Sequence, residues 1–180
     1  MKFRILLLAI SSFFQKRHSL IDENVLNLRV LPNDLDYFRL SNDRYISLMN
    51  LGQFGIVFRG GCFSTLIKKR WFPVVRLATI RYRHPLWLFQ KYQLRSQVIY
   101  WDTEWIWVIH YFERNNHTTA IGIMKSVMVG PQGIIPVSEF LETVGESLEQ
   151  PPAPEIIAEI MNIEKQIQAK QDLLLTNRPT

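Results

Sequence analysis

The sequence is poor in the residues that build disulfides and metal sites. Cys62 is the only cysteine, which excludes an intramolecular disulfide and fits a reducing, cytoplasmic compartment. No adjacent residue would activate its thiol, so we expect a small buried side chain rather than a nucleophile. The four histidines, His18, His84, His110 and His117, are scattered along the chain. No two of them stand at metal-ligand spacing, so the sequence predicts no metal site.

Several catalytic and binding motifs are missing as well. The chain contains no phosphate-binding loop, no dinucleotide fingerprint and no nucleophile-elbow serine. If the protein is an enzyme, carboxylates and backbone dipoles must therefore do the chemistry, and we predict no bound cofactor. No recognised nucleic-acid-binding module is present either, so we expect no nucleic-acid partner.

Acidic residues are absent from a long central stretch. Residues 44–100 contain Lys and Arg but neither Asp nor Glu, whereas acids outnumber bases in residues 139–172. A basic stretch of this length attracts phosphates, whether of nucleic acid, of lipid headgroups or of the phosphorylated arm of a nucleotide-like cofactor. The alternative is a solvated strand face without a ligand.

The N-terminal segment, residues 1–23, combines a short apolar run with basic flanks. The run covers about half of the roughly twenty residues that a membrane-spanning helix needs. A secretory signal would end in a small-x-small cleavage site, and a basic cluster follows instead. The composition favours an interfacial anchor in residues 1–18 that makes a peripheral membrane contact. A helix folded back onto the body and a signal peptide are the alternatives.

Hydrophobic periodicity predicts an α+β body over residues 24–147, followed by a Pro-rich spacer and a C-terminal helix over 148–180. Strands are predicted over 25–31, 74–83, 91–101, 104–113 and 118–129, and helices over 43–58, 64–70, 138–146 and 154–175. This order is a strand, a long helix and an antiparallel meander, which leaves one sheet face free for the helix. Ser41 or Asn42 is predicted to cap the long helix, and Ser138 the helix after the sheet.

Two carboxylates, Asp34 and Asp36, lie in the loop directly before the long helix. A carboxylate at this place can attack a carbonyl carbon or activate water, while the amides at the helix start polarise the carbonyl oxygen. Spacing alone favours the alternative that both aspartates are ordinary turn residues, because Asp is common in turns.

Five segments in order carry a family resemblance. The first is the Asp-x-Asp loop at Asp34 and Asp36, followed by Asn42 and Tyr45. The others are residues 48–52, 82–86, 100–112 and 133–145. Over residues 24–147 these segments resemble the hot-dog acyl-CoA thioesterases of the 4-hydroxybenzoyl-CoA thioesterase type, in the thioesterase-like branch. The resemblance implies a hot-dog fold, in which a curved antiparallel sheet wraps around a long helix.

The resemblance also implies site residues. Asp36 matches the catalytic carboxylate of the family and would act as general base or nucleophile. The amides at the helix start would bind the oxyanion, and Asn42 or Tyr45 would orient the water or the acyl group. Two subunits would pair their sheets edge to edge, giving a homodimer or a dimer of dimers with the thioester at the interface.

The basic stretch acquires a role under the same resemblance. Arg81, Arg83 and His84 would meet the phosphates of coenzyme A, which enters as part of the substrate. Lys91 and residues 68–70 are alternatives for that contact. The implied function is therefore an acyl-CoA thioesterase of lipid metabolism.

One position departs from the family pattern. Leu40 stands where the family has a histidine, and the chain is one residue shorter between Asp36 and Tyr45. We therefore expect an apolar side chain beside the proposed catalytic carboxylate. The departure leaves open a catalytically weak or inactive hot-dog protein that binds acyl ligands or a partner, including at a membrane surface. Other hot-dog chemistry, such as dehydration of an acyl thioester, is a further alternative.

Overall fold

The computed structural model describes Arg4, Leu8 and residues 18–176, with side chains as far as residue 170. The chain divides into two compact units, residues 1–150 and residues 151–180. The first unit contains the sheet, the long helix and the predicted site. The second contains the proline-rich segment and the last helix.

The first unit contains eight described strands. They are β1 (Asn24–Arg29), β2 (Leu35–Asp36), β3 (Arg39–Leu40), β4 (Phe72–Tyr82), β5 (Lys91–Trp101), β6 (Trp105–Arg114), β7 (His117–Gly130) and β8 (Gly133–Ile135). Six of them form one antiparallel sheet in the order β1-β5-β6-β7-β4, with β8 added to the end of β7. The predicted meander is correct for β5 to β7. It is wrong for β4, which pairs with β7 at the far edge of the sheet.

The helices follow the predicted positions closely. They are α1 (Asn42–Arg59), α2 (Phe63–Lys69) and α3 (Val137–Val144) in the first unit, and α4 (Glu155–Thr176) in the second. Ser41 is the N-cap residue of α1, but its side chain does not bond a helix amide. The predicted Ser138 cap is wrong, because α3 begins after Pro136.

Helix α1 packs against β1, β5 and β6. Its buried residues include Tyr45, Leu48, Met49 and Leu51, which recur at helical spacing and so face the sheet together. The body has two hydrophobic clusters, one around Leu48, Leu94 and Phe112 and the other around Cys62, Val108 and Phe140. Cys62 is 2% exposed, so the prediction of a buried cysteine is confirmed.

The unit of residues 151–180 consists of α4 after a segment with three prolines. Ile156, Ile163 and Ile167 of α4 are all more than 40% exposed. Within the described part of the chain, no helix combines the length and the apolar character needed to cross a bilayer.

Candidate functional site

Asp36 lies in a two-stranded hairpin that leads directly into α1. Strands β2 and β3 pair Leu35 with Leu40 and Asp36 with Arg39. The hairpin is held in place by backbone bonds from Leu40 N to Leu86 O (2.8 Å) and from Ser41 N to Asp34 O (3.0 Å). Asp36 is exposed. Its carboxylate therefore reaches solvent from a backbone that is fixed on both sides.

Asp34 has a different environment, although it is only two residues away. It is 2% exposed and forms an ion pair with Arg4, with Arg4 Nη2 2.5 Å from its Oδ2. The same oxygen accepts a hydrogen bond from the Leu31 amide at 2.9 Å. Arg4 also donates to the carbonyl of Arg29. Asp34 is thus a structural carboxylate that ties the N-terminal segment to the loop before α1.

The predicted N-terminal anchor falls mainly on residues outside the described part of the chain. Of its residues, Arg4 bonds Asp34 and Leu8 packs against the cluster around Leu48. These two contacts favour the alternative of a segment folded back onto the body at these positions. Membrane contact by residues 1–18 stays a prediction.

Leu40 does not stand beside Asp36, contrary to the expectation from the family pattern. Successive residues of a strand face opposite sides, and Leu40 is 3% exposed while Asp36 and Arg39 are exposed. Leu40 belongs to the cluster around Leu48. The side chain that replaces the family histidine therefore contributes to the core.

Tyr45 is also a core residue. It is 3% exposed, and its ring meets those of Tyr82 and Phe112 edge-on at centroid distances of 5.1 and 4.8 Å. Burial, with a smaller contribution from Tyr82, raises the pKa of Tyr45 to about 12. At neutral pH the phenol is a neutral hydrogen-bonding group. Its position among core side chains in the first turn of α1 fits a packing role. Its proposed role toward the substrate stays a prediction.

The start of α1 has most of its amides engaged. The amides of Arg44 and Tyr45 donate to Ser41 O at 3.1 and 3.3 Å. The Ser41 hydroxyl donates to the Asp43 carboxylate at 2.5 Å. This bond, the charge of Arg44 and the amides of Arg44 and Asp43 lower the pKa of Asp43. Within the described chain, the Asn42 amide is the first helix amide without an acceptor. This amide is therefore available to an acceptor from outside the helix, and the Asn42 side chain is exposed.

The predicted phosphate-binding residues lie at the end of an edge strand. Arg81 ends β4 together with Tyr82, and Arg83 and His84 follow with both amides bonded to Thr119 O. All three predicted side chains are exposed. No described strand pairs with the outer edge of β4. The structure therefore brings Arg81, Arg83 and His84 together, on an edge that is open to a partner.

The alternative cations lie elsewhere. Lys68 and Lys69 are in the last turn of α2, where Lys69 Nζ lies 5.1 Å from the centre of the Trp71 ring. Lys91 begins β5, opposite Arg29 of β1. Lys68 and Lys69 therefore precede the start of β4, and Lys91 lies on β5, three strands from β4 in the sheet.

A buried polar layer beneath α1 was missed by the sequence analysis. Ser96 and His110 are Cα partners on β5 and β6, with Ser96 Oγ 2.9 Å from His110 Nδ1. They are 1% and 0% exposed. Gln53 of α1 donates to Ser126 Oγ at 2.9 Å in the same interior. Ser96 and His110 stand at strand positions whose side chains face the core. The sequence pattern of the two strands therefore carried a signal that both side chains are buried.

The Ser96–His110 pair is not accessible to a substrate. Burial lowers the pKa of His110 to about 3, so the imidazole is neutral at physiological pH. Its Nε2 is buried and has no hydrogen-bond partner in the described structure. A catalytic serine–histidine pair needs a route for the substrate and usually a third group that orients the imidazole. This pair shows neither, and we assign it to packing.

The described residues contain no cluster of three or more potential metal-ligating side chains. The chemistry available at the start of α1 is therefore that of an exposed carboxylate, a helix-start amide and nearby cations.

Comparison with known proteins places this arrangement in a family. Residues 30–159 match the family model described as the thioesterase-like superfamily. Among curated relatives, Protein THEM6 of Drosophila melanogaster is 25% identical over 146 residues, which are 79% of this chain and 74% of that protein.

Solved structures of low sequence identity share the fold. The probable thioesterase YbaW of Escherichia coli has a TM-score of 0.61 at 17% identity, covering 70% of this chain and 99% of the other. A DHNA-CoA thioesterase of Staphylococcus aureus has a TM-score of 0.62 at 7% identity, covering 80% and 94%. The predicted hot-dog fold is thereby confirmed.

Proposed function

The chain belongs to the thioesterase-like superfamily, and we propose that it hydrolyses an acyl thioester of coenzyme A. The observation that supports this most is the contrast within the Asp-x-Asp loop. Asp34 is buried in an ion pair, whereas Asp36 is exposed on a fixed hairpin that leads into α1. A carboxylate in the hairpin before a helix can act as a base in acyl transfer, and amides at the helix start can stabilise the oxyanion.

In the proposed reaction, the Asp36 carboxylate takes a proton from water as the water oxygen attacks the thioester carbon. The carbonyl oxygen becomes an oxyanion and accepts a hydrogen bond from the Asn42 amide at the positive end of α1. Collapse of the tetrahedral intermediate breaks the C–S bond, the protonated Asp36 gives its proton to the departing sulfur, and coenzyme A and the free acid are released. Direct attack by Asp36 would instead give a mixed anhydride that water then hydrolyses.

We propose that the active form is a homodimer. The outer edge of β4 offers eleven residues of backbone that another strand can pair with. Pairing there would bring the end of β4 of each copy toward the other subunit. Arg81, Arg83 and His84 would then contact the phosphates of coenzyme A near the interface, since guanidinium groups bind phosphates with two parallel hydrogen bonds.

A second candidate is a protein that binds acyl-CoA with little or no turnover. The observation in its favour is the helix start, where the exposed Asp43 carboxylate lies in the first turn of α1 and accepts a hydrogen bond from the Ser41 hydroxyl. A negative charge at this position opposes the formation of an oxyanion. Such a site would bind an acyl group but stabilise the transition state poorly.

An acyl-CoA panel with detection of the released thiol separates the two candidates. We expect turnover with at least one acyl-CoA and a dimer by sedimentation. Tight acyl-CoA binding without thiol release at any chain length would replace hydrolysis by binding. Absence of both binding and release would contradict the proposed substrate class.

A further inference from the structure

Four aromatic side chains are exposed side by side at one end of the first unit. Tyr37 and Phe38 form the tip of the β2–β3 hairpin and are 87% and 73% exposed. Trp87 and Phe89, in the loop between β4 and β5, are 48% and 55% exposed. We name these four residues the aromatic patch. Isolated exposed apolar residues are normal, but a contiguous group indicates an interaction surface.

Backbone contacts hold the two parts of the patch together. Arg39 and Trp87 form an isolated β-bridge, and Leu88 N donates to Phe38 O at 3.2 Å. Phe89 N donates to Val30 O at 3.0 Å, which ties the loop to the end of β1. The patch is therefore a built surface on a hydrogen-bonded frame rather than two unrelated loop tips.

Cations surround the aromatic patch. Arg39 is adjacent to Phe38 and bridges Trp87, and Arg29 Nη1 donates to Phe89 O at 3.2 Å. Arg29, Lys91 and Arg114 also line an open groove of about 520 Å³ between β1, β5 and the β6–β7 turn, and the one acid in its lining, Glu113, is ion-paired with Arg95. The exposed acid of the hairpin is Asp36, opposite Arg39. We name Arg29, Lys91 and Arg114 the basic groove.

We propose that the aromatic patch and the basic groove form a docking surface for an anionic phospholipid bilayer. Tyr, Trp and Phe at the headgroup level place an apolar ring in the acyl boundary, and Tyr and Trp keep a polar atom in contact with water. Lys and Arg beside them bind lipid phosphates and are attracted by the surface potential of the anionic leaflet. The groove is large enough for a phosphate-bearing headgroup.

Charge disfavours the simplest competing occupant, a second copy of the same surface. Self-pairing would bring Arg29, Arg39 and Lys91 of one copy against the same cations of the other, with repulsion instead of attraction. The basic groove lies on β1 and β5, at the opposite end of the sheet order from the β4 edge proposed above for the dimer. The residues of the docking surface lie outside the segment of residues 1–18, and the proposal does not depend on thioester turnover.

Co-sedimentation of the full-length protein with phosphatidylcholine vesicles, with and without phosphatidylserine, tests the proposal. We expect binding only with phosphatidylserine. Tyr37→Ser combined with Phe38→Ser should weaken it about tenfold or more, because both rings lose their place in the apolar boundary. Arg29→Gln combined with Lys91→Gln should weaken binding about fivefold per cation. Both pairs are exposed, so the fold should persist.

Ile67→Ser is the matched control. Ile67 is 63% exposed and is followed by Lys68 and Lys69, but it lies on α2 outside the patch. Its replacement should leave vesicle binding unchanged.

Wild-type binding by the Tyr37→Ser/Phe38→Ser variant would overturn the proposal, since residues 1–18 would then account for attachment. Conversion of a dimer to a monomer by that variant would also overturn it, in favour of a protein interface. So would a changed KM for acyl-CoA without vesicles, which would assign the patch to the acyl site.

Discussion

The start and the middle of α1 both gather polar side chains, but only the start is open to solvent. Near the start, Asp36 in the hairpin before α1 and Asn42 in the first turn of α1 are exposed. At the middle, Ser96 and His110 are packed beneath Gly52 with no exposure above 1%. The pKa of the buried His110 is shifted more strongly than that of Asp43 at the helix start. A perturbed pKa therefore marks burial here, and access to a substrate is the better guide to the functional site.

Packing explains why the two regions differ. Helix α1 lies so close to the sheet at its middle that a Cβ on Gly52 would overlap Ser96 Oγ and lie 3.0 Å from His110 Nδ1. In the described structure the β2–β3 hairpin before the helix pairs with no strand of the large sheet, and residues 36–39 are exposed. Four predictions test this contrast. They run from the largest to the smallest expected effect on the free energy of unfolding or on the rate.

Asp34→Asn should cost the most stability. Arg4 is 11% exposed and would lose its anionic partner, which typically costs about 3–5 kcal/mol for a buried pair. Asp36→Asn is the matched control, because the same change two residues away affects an exposed side chain and should stay within about 0.5 kcal/mol. Urea unfolding of both variants measures the difference. Equal losses would show that the two aspartates do not differ as described.

Gly52→Ala should destabilise the fold by about 2 kcal/mol, although alanine normally favours a helix. The reason is the overlap with Ser96 Oγ. Adding Ser96→Ala removes that oxygen and should recover part of the loss, whereas Ser96→Ala alone provides the reference for the cycle. If the double variant is no more stable than the additive expectation, the helix does not press on Ser96.

Stability should fall in mild acid because of His110. Its folded-state pKa of about 3 is below the usual value of 6.5. As pH falls below 6.5, the unfolded chain takes up a proton that the folded chain does not, so stability decreases by up to about 1.4 kcal/mol per pH unit. Above pH 6.5 this contribution is fully present.

Urea unfolding at pH 7 and pH 5.5 should therefore differ by about 1 kcal/mol in the wild type. His110→Gln lacks the titrating group and should show a smaller difference over the same interval. An identical pH dependence in the two proteins would contradict a neutral, buried His110.

Asp43→Asn should have the smallest effect and should raise the rate. The change removes a negative charge from the helix start, where the oxyanion is proposed to form, and we expect a two- to fivefold gain, about 0.4–1 kcal/mol. The helix loses a favourable charge at its N-terminus, so stability should fall by up to about 1 kcal/mol. Steady-state kinetics on the best acyl-CoA measures the rate, and a several-fold loss would indicate that Asp43 assists the reaction.

Much of the fold was predictable because strand alternation and helix spacing are local signals. The bounds of β5 and α1 agree with the prediction to within one residue. The position of β4 beside β7 was not predictable, since pairing across the sheet depends on contacts distant in sequence. The two-residue strands β2 and β3 are too short to show a period.

The site was predictable only in part. Residue order alone identified the Asp-x-Asp loop, but Asp34 and Asp36 look alike in the sequence, and the separation of a buried from an exposed carboxylate depends on Arg4. The direction in which the Leu40 side chain points could not be predicted, because it depends on the β2–β3 hairpin. Strand phase indicated that Ser96 and His110 face the core, but the close approach of Gly52 to both side chains is a property of the packed helix and sheet.

The central claim is that the chemistry belongs to the start of α1 and not to its buried middle. The most direct test compares thiol release by Asp36→Asn and Ser96→Ala with the wild type, each confirmed as folded, on the best acyl-CoA of the panel. We predict that Asp36→Asn lowers kcat by about two orders of magnitude or more, as expected for loss of a general base, while Ser96→Ala stays within about threefold. Near wild-type turnover in Asp36→Asn, with a large loss in Ser96→Ala, would contradict the account.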